Sequence, residues 1–115
     1  MQERYSDATL AEEPWVVQNA AHAASRNARR ALDALAQGYI YPALAWAFEA
    51  GREWAWAKSQ CKTADGLKVF DQFYSVICKL FLCPTSGSAP LRVRPEAKLL
   101  LDSLLEKPAD EEVPA

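Results

Sequence analysis

Apolar positions along this chain recur at intervals of three and four residues, the period of an α-helix, in four separate stretches. The first runs from Pro14 to about Gln37. Val17, Ala20 or Ala21, Ala24, Ala28, Ala31 or Leu32, and Leu35 trace one face, and Gly38 is placed to end it. Asn19, Ser25, Arg26, Asn27, Arg29, Arg30 and Asp33 occupy the opposite side. A face made mostly of alanine lets helix axes come close, so this helix is expected to lie tight against the next one.

The second stretch, Tyr39 to Lys58, reads YIYPALAWAFEAGREWAWAK and holds three of the four tryptophans. Pro42 falls in the first turn, where a missing N–H costs no hydrogen bond, and the alanines are strong helix formers. Leu44, Ala47, Phe48, Gly51 and Trp54 or Ala55 form one apolar face, and Trp46, Ala50 and Trp54 with Ala57 form a second beside it. An arc this wide needs cover on more than one side. Trp54 and Trp56, two residues apart, cannot face the same way, so one of them is exposed unless another helix or another molecule covers it. Gly51 costs about 1 kcal/mol against alanine inside a helix, so it marks either a close neighbour or a bend. The short link Gly38 to Tyr41 predicts an antiparallel helical hairpin, with a kinked continuous helix as the alternative.

In the third stretch, Thr63 or Asp65 is placed to cap a helix, with Ala64 to Gly66 as the turn. Leu67, Phe70, Phe73 or Tyr74, Ile77, Leu80 and Phe81 follow as its face. Val76, Cys78 and Leu82 make its end nearly apolar all round, which reads either as central packing or as continuation into an interface, with Cys78 a small buried hydrophobe. Cys83, Pro84 and TSGSAP form a loop. Leu91 to Arg94 has the chain's only two-residue period, and four residues do not make a sheet. Pro95 then opens a fourth helix, with Glu96 on the favourable side of its dipole and Ala97, Leu100, Leu101, Leu104 and Leu105 as its face.

The pattern predicts an all-α protein, a small antiparallel bundle of about four helices. The expected organisation is a flexible acidic arm at residues 1–13, a single helical domain at 14–107 and a disordered acidic tail at 108–115. Composition agrees with one domain: 115 residues, 50% of them apolar, suffice for one core. The formal charge of −2 hides an uneven distribution. Residues 1–13 carry four acids and one base, residues 102–115 five acids and one base, and the segment between them eleven bases and six acids. A middle of about +5 thus lies between acidic ends.

Cys61, Cys78 and Cys83 are an odd set with no CxxC, and the N-terminus lacks a basic region followed by an apolar stretch, so a reducing, cytoplasmic location is expected. No apolar run reaches the roughly 18 residues that span a bilayer, and no membrane partner is expected.

Candidate chemistry is sparse. His22, the only histidine, has no carboxylate at a helical neighbour position to orient it as a base. The cysteine spacings fit no zinc site, and Glu49 with Glu53 repeats a spacing common on any helix exterior. No phosphate loop, GxSxG or HExxH is present. No catalytic residue, cofactor or metal is therefore expected, and the chain reads as a non-enzyme.

What remains is binding. Tryptophan, tyrosine and arginine are the residues most enriched at interface hot spots, and this chain has four, four and seven of them. The residues expected at a partner contact are Trp15, Arg26, Arg29, Arg30, Tyr39, Tyr41, Trp46 and Trp56. The expected function is a non-catalytic protein-binding module, acting as a regulator, inhibitor, adaptor or assembly subunit. Its partner would be another protein or a second copy of itself. The alternative is a small nucleic-acid-binding regulator that uses Arg26, Arg29 and Arg30, with Arg52, Lys58, Lys62 and Lys68 extending the basic face.

Overall fold

A computed structural model describes residues 11–82 and 91–105. Four helices pair in chain order: α1 (Trp15–Ala36), α2 (Ile40–Gln60), α3 (Ala64–Cys78) and α4 (Pro95–Leu105). Each packs on the next, and α4 returns to touch α1, which closes a small all-α bundle. The expected loop 85–90, Cys83, and the arm and tail at 1–10 and 106–115 lie outside the described residues.

The α1–α2 hairpin is built as its small residues dictate. Ala21, Ala24, Ala28 and Ala31 of α1 and Ala43, Ala50 and Ala57 of α2 have no exposed surface, and these two helices share the most extensive contact in the molecule. Between them α1 ends in a Schellman motif. The Tyr39 N–H donates to the Ala34 carbonyl at 2.9 Å and the Gly38 N–H to that of Leu35 at 3.0 Å. Gly38 supplies the left-handed backbone this needs, with φ of 86°.

Helix α3 lies against α2 through Trp54, whose buried ring stacks on Phe73 with centroids 4.7 Å apart. Gly51 answers to a close neighbour: a Cβ there would sit 3.4 Å from Ile77 Cγ2. Leu80 and Phe70 complete this part of the core, and Ala97, Leu101 and Leu104 close it from α4. The Arg29–Asp102 ion pair, 2.8 Å, links α1 to α4. Both side chains are nearly half exposed, so the pair fixes register more than it stabilises, at about 0–1 kcal/mol.

Four expectations are corrected. Glu13, assigned to the flexible arm, is 4% exposed. Its carboxylate accepts hydrogen bonds from the Lys62 N–H at 2.6 Å, the Thr63 N–H at 3.1 Å and the Thr63 hydroxyl. It thereby anchors the segment just before α1 to the α2–α3 turn. Leu91 to Arg94 does find a partner. Arg92–Val93 pairs antiparallel with Phe81–Leu82, because α3 stops at Cys78 and leaves the next residues extended. Cys78 is exposed rather than buried, since Val76 and Ile77 take the inward positions of the last turn. Leu44, Phe48 and Leu67, read as core, are exposed. The buried arc of α2 centres instead on Ala47, Ala50, Trp54 and Ala57, where the small residues admit α1 and α3 more closely than a leucine or phenylalanine would.

Candidate functional site: the outer α2–α3 groove

The displaced residues of α2 form a surface of their own. Tyr41, Leu44 and Phe48 recur at three and four residues and share one outward stripe, and Phe48 is 70% exposed. Beyond them the stripe continues as Arg52 and Ala55, with the buried Gly51 on its α3 side. Beside it, Tyr74, Ile77 and Cys78 of α3 and Phe81 of the first strand complete a groove of about 390 Å³. Arg52 is the only charged side chain among its lining residues.

Arg52 donates to Glu49 one turn earlier, and that hydrogen bond raises its pKa further above the usual guanidinium value. The Tyr74 phenol is pushed above its usual value, chiefly by its hydrogen bond with Cys78. Lys58 lies 5.3 Å from the Tyr74 ring centroid and 2.7 Å from Asp71. The groove therefore presents neutral aromatic and aliphatic surface with one fixed cation at its rim.

The residues expected at a partner contact are distributed rather than assembled. Trp15 is exposed at the start of α1, and Tyr39 and Tyr41 are exposed at the hairpin link beyond its other end. A helix of 22 residues separates them by about 33 Å, too far for one small site. Arg26 is exposed, Arg29 is paired with Asp102, and Arg30 lies over the half-exposed Trp46 ring at 4.9 Å while donating to Asn27. The three arginines thus divide between two sides of α1. Trp56 is exposed one turn past Arg52, and Trp54 is the ring that is buried. Of the eight, Tyr41 lies on the stripe that borders the groove.

Leu44, Phe48 and Cys78 were not anticipated as surface, and Tyr74 and Phe81 line the groove while packing, partly buried, against the core. The sequence does carry a signal: on α2, large residues at 41, 44 and 48 and alanines at 43, 47, 50 and 57 lie on different arcs. Tight packing selects the alanines.

Elsewhere, a wider cleft of about 730 Å³ between α3 and α4 is lined by Lys68, Asp71, Lys79, Arg94 and Glu96 among others, a mixture of signs with no focus. His22 is exposed on α1. Among the described residues, no cluster of three or more histidine, cysteine or acidic side chains is placed to hold a metal ion, and no helix is long and apolar enough to cross a membrane. No protein-family model, characterised protein sequence or solved structure matches the chain.

Proposed function

We propose that this chain is a non-catalytic protein-binding module that docks a protein surface on the outer α2–α3 groove, acting as a regulator, inhibitor, adaptor or assembly subunit in the cytoplasm. One observation carries the reading. Tyr41, Leu44 and Phe48 are held outward on a rigid helix, next to an apolar groove, although the same helix buries a tryptophan completely. Scattered exposed apolar residues are ordinary, whereas a contiguous stripe beside a groove is the usual mark of an interaction site. Aromatic anchors would supply the affinity, and Arg52 would set orientation. The nucleic-acid alternative has less support, because Arg29 and Arg30 are engaged within the chain.

A benzophenone amino acid at position 48, photolysed in the native cell, tests this. A discrete cross-linked protein product from position 48, absent when the probe sits at Asn19 on the far side of α1, is expected. Equal or absent cross-linking from both positions contradicts the docking face.

A further inference from the structure

We propose that the surface docked on this groove is a second copy of the chain, with α2 against α2, antiparallel about a two-fold axis near Gly51. This rests on the protein-binding reading above and names its partner.

Size complementarity is the first argument. The outward stripe of α2 is bulky in its N-terminal half, Tyr41, Leu44 and Phe48, whereas in its C-terminal half Ala55 and Ser59 are small and the Arg52 side chain is held to the flank by Glu49. A two-fold interface must be self-complementary, because the same patch serves both sides. Antiparallel pairing about Gly51 places each bulky half over the slight half of the other copy. Phe48 then enters the groove at Gly51 and Ala55, Leu44 lies against Ala55, and the Tyr41 phenol reaches the turn that holds Ser59. A parallel arrangement would set bulk against bulk.

Charge complementarity is the second. Glu49 and Arg52 are ion-paired within one copy on the flank of this stripe. The two-fold operation keeps that flank on one side of the interface and brings each Glu49 opposite Arg52 of the second copy. Four charges then alternate in sign around the axis, in the manner of flanking pairs in an antiparallel coiled coil. The remaining lining residues are uncharged, so the contact leaves no unpaired charge in its centre.

The groove is one part of the contact, and Tyr41, Glu49 and Ser59 of α2 extend it beyond the lining residues.

Sedimentation equilibrium of the full chain, from low to high micromolar concentration, tests the proposal. The expected result is a mass that rises from the 12.8 kDa monomer towards twice that value. Phe48→Glu should remain monomeric. Glu49→Arg and Arg52→Glu should each weaken association about tenfold, and the double reversal should restore it to within about threefold, since the alternation of signs returns. Circular dichroism melts confirm that each variant is folded. A wild-type mass that stays at the monomer overturns the proposal, as does a dimer indifferent to Phe48→Glu and to the reversals. The benzophenone at position 48 separates the two levels. A monomeric chain that still cross-links a different protein loses the second copy and keeps the docking face, whereas a monomer with no cross-link loses both.

Discussion

A single carboxylate ties the residues just before α1 to the junction of α2 and α3. Glu13 is buried among two backbone N–H groups and the Thr63 hydroxyl, and that hydroxyl in turn accepts from the Gly66 N–H at 2.9 Å to cap α3. Gly66 is needed for room, because a Cβ there would overlap Glu13 Oε2. Glu13→Ala removes the acceptor of two part-buried N–H groups and should cost about 1–3 kcal/mol in urea unfolding. Gly66→Ala should cost about 1–3 kcal/mol in the wild type and markedly less in the Glu13→Ala background. Additive costs in this cycle would show that the two positions act independently. Cysteine reactivity gives a second test. The Cys61 thiol is pushed above its ordinary value of 9.0, first by burial and then by the charge of Glu13, while Cys78 is exposed. Iodoacetamide at mildly alkaline pH should label Cys78 several-fold faster than Cys61, read by peptide mapping. Ionising Cys61 opposes the fold, because its folded pKa lies above the unfolded one. The stability it contributes is present below the unfolded pKa and is lost as pH rises through the folded one.

Among the elements, the α1–α2 seam governs what the rest of the surface becomes. Alanine on both sides brings the two helices close, and that proximity turns α2 so that Ala47, Ala50, Trp54 and Ala57 face inward. Ala28→Leu, at a position with no exposed surface, should therefore destabilise the bundle by about 1–3 kcal/mol in thermal unfolding. An unchanged midpoint would mean the seam is looser than described. The helices, the Gly38 stop, the Thr63 cap and the Pro95 start were legible in sequence, because each depends on neighbours a few residues away. The rotation of α2 was not. Periodicity allowed either arc to be inward, and the choice depends on how closely α1 and α3 approach, a property of the assembled fold. For the same reason Phe48 read as core. Glu13 was hidden differently: its partners lie 49 and 50 residues along the chain, and no local pattern marks such a contact.

At the scale of the whole molecule, the four helices α1 to α4 of the described residues bury one tryptophan and leave a stripe of large residues outside, next to a groove with a single charged rim residue. The bundle has a core without them, which is why their exposure bears on function rather than on folding. Trp46 and Trp56, also partly exposed, lie on other arcs of α2, and Arg30 already covers part of Trp46. The central claim is that the Phe48 side of the molecule is covered by protein in use. Hydroxyl-radical footprinting tests this most directly, because Phe48 and Trp15 are matched in the isolated chain at 70% and 71% exposure. Oxidation of each residue is measured in dilute purified protein and again in the native cell. Covering of the groove predicts a several-fold drop at Phe48 with little change at Trp15; equal rates for Phe48 in the two settings would contradict it.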